Sequence, residues 1–351
     1  MTPFCKLRDP DHYRACDWDL LTDETGRRAW IDIFDEHTAS LLEHARGSDH
    51  PPPEHTLAAY RAAFTQKLDR LRDTPDAFGR LDIYALCKIR ADLMRGYALG
   101  DPYDAVKRRE NDAALRHLPG WLTRIDACDQ ARVVEMLIRG VLAGNKFDLG
   151  AEATTRQHAA GGIDFHDTLN QLPRRPWFRD HLDAIADALA PDRRADQSCM
   201  FFVDNAGADV VLGAIPIARY LAEQNCRVTL AANDQPSLND VTVTELNDLL
   251  ERVARLDSRL ASHVESGTIT TVGTGCDCPL IDLSDVPDAC NQRAADADLV
   301  ILEGMGRAIE TNYHAPFTCD VIHLAMIKNP LVARWLGCAM FDLVARFTPA
   351  M

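Results

Sequence analysis

Residues 199–213 have the sequence CMFFVDNAGADVVLG, and this stretch decides the fold. The apolar run 199–203 is short and uninterrupted, which predicts a buried strand of a parallel sheet. A polar turn follows, and residues 210–223 then have helical spacing. Ligands bind at the carboxyl ends of strands in open parallel sheets, so we expect Asp204 and Asn205 to face a ligand site. A simple capping role for Asp204 at the following helix is the open alternative.

The alternation of strand and helix continues towards the end of the chain. We predict further strands at residues 227–231, 268–272, 298–302 and 340–346, and helices at 243–256 and 317–336. Alternating elements of this kind are typical of parallel β-α-β units. The predicted fold class is therefore α/β, with a Rossmann-like layered α/β domain.

The first half of the chain has helical spacing without predicted strands. One apolar stripe recurs at intervals of three and four residues, and it consists of Leu57, Tyr60, Phe64, Leu68 and Leu71. Proline and glycine breaks, such as residues 51–53 and 100–102, separate this stripe from the next ones. We therefore divide the chain into a helical N-terminal part, residues 1–190, and an α/β domain, residues 191–351.

Composition limits the classes of partner. The 351 residues include 38 basic and 53 acidic ones, and the net charge of −15 repels nucleic-acid backbones and anionic membranes. We expect neither as a partner, so an anionic ligand must be bound locally. The start of the chain has no apolar stretch of the signal-peptide type, and the eleven cysteines are scattered. These features predict a soluble cytoplasmic protein with reduced thiols.

A second acidic residue follows the next predicted strand. Thr242 and Glu245 form a capping box for the helix after it, which leaves Asp240 available for another role. If the two strands are parallel neighbours, their ends lie about 5 Å apart, and Asp204 and Asp240 can converge on one ion. With the amide oxygen of Asn205 they form an all-oxygen set, which suits a hard divalent cation such as Mg²⁺ or Mn²⁺. Such a cation polarises a phosphoryl oxygen and activates a nucleophile.

Two later stretches carry groups suited to a phosphate. Glycines at a strand end allow close backbone approach, and a guanidinium can bind two phosphate oxygens. For the first of these stretches, the alternatives are that the glycines form a tight turn and that the arginine pairs with a surface carboxylate. Lys328 is the only lysine after residue 146, and a buried ammonium in its apolar surroundings would suit a phosphate oxygen; a partly exposed stem is the alternative. The first stretch follows the predicted strand 298–302 and consists of Glu303, Gly304, Met305, Gly306 and Arg307.

Four sequence runs together resemble the metal-dependent damage-control phosphatases, formerly domain of unknown function family 89. These runs are FVDNAGADVVLG from residue 202, PSLNDVT from residue 236, EGMGRAIETNYHA from residue 303 and IKNPLVARWLG from residue 327. The EGMGR run resembles the pantetheine-type subfamily, which includes the phosphatase domain fused to the vertebrate type-four pantothenate kinase. DPYDAVKRREN from residue 101 and AGNKFDLGA from residue 143 extend the resemblance, which covers about residues 100–337.

The resemblance implies a phosphomonoesterase that needs a divalent metal, Mn²⁺, Co²⁺, Ni²⁺ or Mg²⁺. The implied substrates are 4′-phosphopantetheine and its oxidised or sulfonated derivatives, whose removal keeps damaged precursors out of coenzyme A. The run CDCPLID at residues 276–282 departs from the family pattern, which puts substrate preference in question. The implied residues are Asp204, Asn205 and Asp240 as metal ligands, Asp204, Asp240 and Lys328 as catalytic groups, and the 303–307 loop, Asn145 and Asp148 as substrate-binding groups.

Several alternatives stay open on the sequence alone. Asn145 and Asp148 end an amphipathic helix, where Gly-Asn is more simply a C-terminal cap. The wider family also admits methyl transfer from S-adenosylmethionine to protein carboxylates, but the chain has no glycine-rich adenosyl loop. A third possible function is that of a metabolite-binding module without turnover, and the intact set of implied metal ligands argues against it. The nucleophile, water or Asp204, is also left open.

Overall fold

The computed structural model describes residues 2–147 and 165–350 of the chain. Its first part is helical, as predicted. The helices are α1 (Glu24–Arg46), α2 (Glu54–Asp73), α3 (Ile83–Gly96), α4 (Asp104–Asp126) and α5 (Gln130–Gly144), and α5 continues into a 3-10 turn (Asn145–Phe147). Three short helices follow before the central strand, namely α6 (Phe165–Gln171), α7 (Leu182–Ala188) and α8 (Pro191–Arg194).

The later part of the chain alternates between strands and helices. The strands are β1 (Arg179–Asp180), β2 (Ser198–Phe202), β3 (Arg227–Ala232), β4 (Ile269–Gly273), β5 (Leu299–Glu303), β6 (Asp320–Met326) and β7 (Leu343–Thr348). The helices are α9 (Ile215–Ala222), α10 (Val243–Ala254), α11 (Ser258–Glu265), α12 (Asp288–Ala294) and α13 (Pro330–Leu336). A π-helical turn (Asp209–Ala214) precedes α9, and a second one (Gly306–Glu310) follows β5.

The seven strands form one sheet in the order β1-β7-β6-β5-β2-β3-β4. All neighbouring pairs are parallel except β6 and β7. The predicted α/β fold class is confirmed, and strands β2 to β5 lie within one residue of the predicted bounds. β2 lies between β3 and β5, so the carboxyl ends of these three strands are adjacent.

The predicted helix at residues 317–336 is wrong in its first half. Residues Asp320–Met326 form β6, every residue of which is buried, and only Pro330–Leu336 is helical. A strand covered on both faces has a continuous apolar run, which periodicity alone cannot distinguish from a buried helix. The last strand also begins later than predicted, at Leu343.

Successive β2 residues point to opposite faces of the sheet, and each face has its own core. Phe201 belongs to the core that includes residues of α4, α5, α9 and α10. Phe202 belongs to the core that includes residues of α1, α3, α12 and α13. Both cores combine residues from before and after position 190, and the division of the chain there stays a prediction. Among the described residues, no helix has the length and apolar character needed to cross a membrane.

Candidate functional site

The carboxyl ends of four neighbouring strands carry the predicted site residues. Asp204 and Asn205 follow β2, Asp240 lies in the loop between β3 and α10, the 303–307 loop follows β5, and Lys328 follows β6. Asn205 and Asp240 form an isolated antiparallel bridge. The Val241 N–H also donates to the Asp204 carbonyl oxygen at 3.0 Å. The two loops that carry the predicted metal ligands are therefore joined through their backbones.

Arg307 links the two aspartates of the predicted ligand set. Its Nη1 donates to Asp204 Oδ1, and its Nη2 donates to Asp240 Oδ2 at 2.6 Å. The same Nη2 donates to Asn233 Oδ1 at 3.0 Å. Both aspartates are buried, so Arg307 pairs with two buried carboxylates rather than with a surface one. The two terminal nitrogens of one guanidinium group thus bridge Asp204 and Asp240.

Asn145 joins the end of α5 to the same cluster. Its Nδ2 donates to Asp204 Oδ2 at 3.1 Å and to Asp209 Oδ2 at 3.0 Å. Its backbone oxygen accepts a hydrogen bond from Lys328 Nζ at 2.7 Å. Asn145 is therefore both the C-terminal cap of α5 and a contact residue of the site. Asp148 lies outside the described residues.

Two further carboxyl groups lie behind Asp204. Asp209 Oδ2 accepts hydrogen bonds from Asn205 Nδ2 at 2.8 Å and from the Asn205 N–H at 3.2 Å. Glu303 is fully buried, and its carboxyl group lies beside that of Asp209. Burial, with the Asp209 carboxylate nearby, raises the pKa of Glu303 well above its ordinary value. Glu303 thus lies behind the Asp204 layer and away from the pocket lining.

Within the described part of the chain, this cluster contains more buried carboxyl groups than buried cations. Asp204, Asp209, Asp240 and Glu303 are four buried carboxyls, whereas Arg307 and Lys328 are the two buried cations that accompany them. Four negative charges less two positive ones leave an excess of two when all groups are ionised. Burial is the main reason why the pKa of Asp204 is raised well above its ordinary value. A divalent cation would remove this excess, so the residues present fit such an ion.

Helix α4 holds both ligand loops from one side. Lys107 Nζ lies 2.7 Å from Asp101 Oδ2 and 2.6 Å from Glu245 Oε1, and it donates to the Asp240 carbonyl oxygen at 3.4 Å. These two acidic groups, with Asp104, have a spacing that could hold a metal, but Lys107 already supplies a cation there.

One turn later on α4, Asn111 contacts the other ligand loop. Its Oδ1 accepts a hydrogen bond from the Gly207 N–H at 2.6 Å. The Gly207 N–H is therefore not available to an anionic ligand. It is already used to join the β2 loop to α4.

The glycines of the 303–307 loop make room for protein groups. Gly304 has φ +88°, and a Cβ at this position would overlap with the Asp204 carboxyl group. A Cβ at Gly306 would overlap with the Pro279 carbonyl oxygen. The close approach that these glycines allow is therefore to Asp204 and Pro279, whereas the sequence pattern predicted an approach to phosphate. Met305 and Gly306 do line the pocket.

A pocket of about 860 Å³ opens in front of this cluster. Asp204, Asn205, Asp240 and Lys328 line it, whereas Arg307 and Asn145 lie in the layer behind them. α1 and α3 supply other walls of the pocket. Those helices precede residue 100, in the part of the chain for which the sequence predicted no role.

Two polar residues of the cluster were not predicted from the sequence. Asn233 directly follows β3, so the rule that located Asp204 at the end of a strand also points to it. Its Nδ2 donates to Asp240 Oδ2 at 3.1 Å. Asp209 belongs to the quoted DNAGAD run, but it lies beyond the turn at the strand end, in the segment predicted to be helical.

Comparison with known proteins identifies the family. The family model described as the damage-control phosphatase ARMT1-like domain matches residues 23–344. The chain belongs to this family. It is 34% identical over 360 residues to the damage-control phosphatase At2g17340 of Arabidopsis thaliana, covering 99% of this chain and 97% of that protein. The resemblance to the damage-control phosphatases is thereby confirmed.

Longer relatives of the damage-control phosphatase family contain a matching region. Pantothenate kinase 2 of Arabidopsis thaliana is 34% identical over 377 residues, which is 99% of this chain and 42% of that protein. The 4′-phosphopantetheine phosphatase of Mus musculus is 30% identical over 397 residues, 97% of this chain and 48% of that protein. The chain thus spans two-fifths to half of these relatives.

A solved structure supports the fold of the damage-control phosphatase family. The crystal structure of a DUF89 family protein from Pyrococcus horikoshii matches with a TM-score of 0.65 and 17% sequence identity. The match covers 90% of this chain and 96% of that one. At this identity the likeness concerns the fold alone.

Proposed function

We propose that the protein is a metal-dependent phosphomonoesterase that hydrolyses 4′-phosphopantetheine and its oxidised or damaged forms. The observation that carries the proposal is the excess of buried carboxylates over cations at one end of a large pocket. The mouse relative named 4′-phosphopantetheine phosphatase supports this substrate class. The physiological role would be to keep damaged precursors out of coenzyme A.

We assign the metal to Asp204, Asn205 and Asp240. When bound there, a divalent cation would polarise a phosphoryl oxygen and activate the nucleophile. Arg307 holds both aspartates in place, because one guanidinium donates to Asp204 and to Asp240. Lys328 lines the pocket and neutralises charge on the phosphoryl oxygens as the transition state develops.

Water is the nucleophile that the hydrogen bonds favour. Asp204 Oδ1 accepts from Arg307, and its Oδ2 accepts from Asn145 at 3.1 Å and from Asn205 at 2.7 Å. A carboxylate whose two oxygens are both held by donors is a weak nucleophile and a good orienting group. Hydrolysis of a substrate with a chiral, isotopically labelled phosphorothioate group should invert the configuration at phosphorus, because direct attack by water is a single displacement; retention, the result of two displacements through an Asp204 phosphate ester, would contradict this assignment.

The pocket suits a substrate with a long tail. Its volume of about 860 Å³ lies in the range that encloses a drug-sized molecule and far exceeds that of a phosphate group. Trp30, Phe34 and Leu238 give the walls apolar patches, while Ser40 and Asn239 add polar groups. A pantetheine chain alternates methylene groups with amides and would match this mixed lining.

The intracellular setting is part of the proposal. All eleven cysteines are free thiols, which supports a reducing compartment such as the cytoplasm. A small phosphorylated metabolite is the partner that we expect.

Release of inorganic phosphate tests the proposed activity. Wild-type protein should release phosphate from 4′-phosphopantetheine, and more slowly from p-nitrophenyl phosphate, with Mn²⁺, Co²⁺, Ni²⁺ or Mg²⁺ and not with a chelator. Asp240→Asn should lower kcat at least about 1,000-fold and abolish the metal-induced rise in melting temperature. Asp112→Asn, at an exposed aspartate of α4, is the matched control. Full activity of both Asp204→Asn and Asp240→Asn, or turnover in chelator, would refute the proposal.

A further inference from the structure

Arg90 on α3 is a buried arginine with an unusual set of partners. Its residue surface is 7% exposed, yet no carboxylate of the described residues forms an ion pair with it. Within the described ranges, its one hydrogen bond is the weak contact from Nη2 to Cys87 Sγ at 3.9 Å. Its guanidinium lies over the Phe34 ring, 5.0 Å from the ring centre.

The other buried arginines of the described chain are all paired with carboxylates. Arg194 lies 2.7 Å from Asp320, and Arg219 lies 2.8 Å from Asp126. Arg307 contacts two aspartates of the site. A buried charge without a partner is costly, so protein interiors almost always supply one. Arg90 is the exception.

Arg90 lines the same pocket as the predicted metal ligands. The Phe34 ring contacts the guanidinium group, and a guanidinium in contact with an aromatic ring can still donate hydrogen bonds to a ligand. Apart from the two aspartates, the other charged or titratable groups of the pocket lining are Glu36, His37, Glu43, Cys87, Glu310 and Lys328. None of the carboxylates forms an ion pair with Arg90 among the described residues. The pocket therefore offers a cation in addition to those of the phosphate end.

We propose that Arg90 binds a second oxyanion of the substrate, separate from the phosphate. This inference rests on the proposed function and names the residue that sets its specificity. The metal and Lys328 serve the phosphate, so an additional anionic group needs a cation of its own, and a planar guanidinium binds a carboxylate or sulfonate through two hydrogen bonds. Phosphomonoesters with such a group are then preferred over equally long ones with a neutral end.

Two pairs of substrates test the proposal at two tail lengths. The first pair is 4′-phosphopantothenate and its primary amide, and the second is the sulfonate of 4′-phosphopantetheine and 4′-phosphopantetheine itself. The wild type should favour the anionic member of at least one pair about tenfold in kcat/KM. Arg90→Met should remove that preference through KM, with less than a twofold change for the neutral member. Arg95→Met, at an exposed arginine of the same helix that pairs with Asp277, is the control and should keep the preference.

The variants also separate binding from folding. Arg90→Met keeps an unbranched stem on Phe34, and melting temperatures report whether the fold is retained. If Arg90→Met does not fold, Arg90→Lys is the deciding variant, because it keeps the charge and loses the two-pronged guanidinium group. A decrease of threefold or more in kcat/KM for the anionic member alone supports the proposal. Unchanged kinetics for both members overturn it. Equal effects of Arg90→Met on both members, or a wild type without preference, also overturn it while the phosphatase proposal stands. No phosphate release from any of the four substrates would refute both.

Discussion

Gly304 allows the loop after β5 to approach Asp204 because it has no side chain. It adopts φ +88° directly after β5, and the space that a Cβ would take is filled by the Asp204 carboxyl group. The loop therefore approaches the carboxylate closely enough for Arg307, three residues later, to contact Asp204 as well. The backbone conformation of this loop and the ion pair between Arg307 and Asp204 therefore both depend on Gly304.

Gly304→Ala should reduce kcat at least about 100-fold and lower the free energy of unfolding by about 2 kcal/mol, because the methyl group displaces Asp204 and strains the backbone. Activity assays and urea unfolding measure the two effects. Gly337→Ala is the matched control, since Gly337 has φ +73° but a methyl group there would have no described atom within 4 Å beyond its chain neighbours and its own helix. It should cost about 1 kcal/mol and leave activity within twofold. Similar losses of activity in both variants would show that strain alone, and not the Asp204 overlap, is responsible.

His323 on β6 gives the protein a dependence on pH. Burial is the largest cause that lowers the pKa of His323 from 6.5 to about 3, with the Arg346 charge second. The unfolded chain therefore binds a proton between these pH values and the folded chain does not. The free energy of unfolding should fall as pH decreases below about 6.5.

Between pH 7 and pH 5, His323 should lower the free energy of unfolding by about 2 kcal/mol. His323→Gln keeps a donor near the Asn312 carbonyl oxygen and removes the titrating ring. Between pH 7 and pH 5, its free energy of unfolding should therefore fall by about 2 kcal/mol less than that of the wild type. Urea unfolding at the two pH values measures it. His50→Gln, at an exposed histidine, is the control. Parallel wild-type and His323→Gln curves would contradict the assignment.

At the scale of elements, α4 positions both ligand loops without contributing a predicted ligand. Lys107 contacts the Asp240 loop, and Asn111, one turn later, contacts the loop after β2. Lys107 is 1% exposed and neutralises Asp101 and Glu245. Its removal would leave two acidic groups without their cation.

Lys107→Met should destabilise the protein by about 3 kcal/mol, because breaking a buried ion pair leaves uncompensated charge. We also expect a rise of about tenfold in the metal concentration needed for half of the maximal thermal shift, since the Asp240 loop loses its support. Thermal melts over a metal titration report both effects. Arg116→Met, at an exposed arginine of α4, should change neither. A destabilised variant with unchanged metal affinity would limit Lys107 to a structural role.

At the scale of the whole molecule, the two parts of the chain share their cores. Phe4 packs against Phe202 of β2 with ring centres 5.5 Å apart, and Trp18 stacks on Trp335 with ring centres 5.7 Å apart. On the other face of the sheet, Trp121 Nε1 donates to the Leu212 carbonyl oxygen at 2.8 Å. We therefore expect the chain to unfold as one cooperative unit.

Phe4→Ala should lower the free energy of unfolding by about 3 kcal/mol and shift a single calorimetric transition to lower temperature. Phe4 is 1% exposed, whereas Phe78 is 36% exposed. Phe78→Ala should therefore cost less than about 1 kcal/mol. Two transitions, only one of which moves in Phe4→Ala, would show that the parts before and after residue 190 unfold separately.

The local part of the site was predictable because it depends on short stretches of chain. Each of the runs around Asp204 and Asp240 combines a strand, a polar turn and a helix start, and parallel strands place such turns at one edge of the sheet. β6 was not distinguished from a helix, because only three residues separate its apolar run from the helix Pro330–Leu336, and periodicity does not separate a buried strand from a buried helix.

The sequence by itself determined the fold class, the edge of the sheet where polar groups gather, and the family. Only the tertiary structure decided that Arg307 joins the two aspartates, that Asp209 and Glu303 lie behind them, and that Arg90 enters the pocket from α3. These contacts join residues that lie far apart along the chain, up to 103 positions for Arg307 and Asp204. The partner of a buried charge is set by how whole elements pack, and that packing is not encoded in any single stretch of sequence.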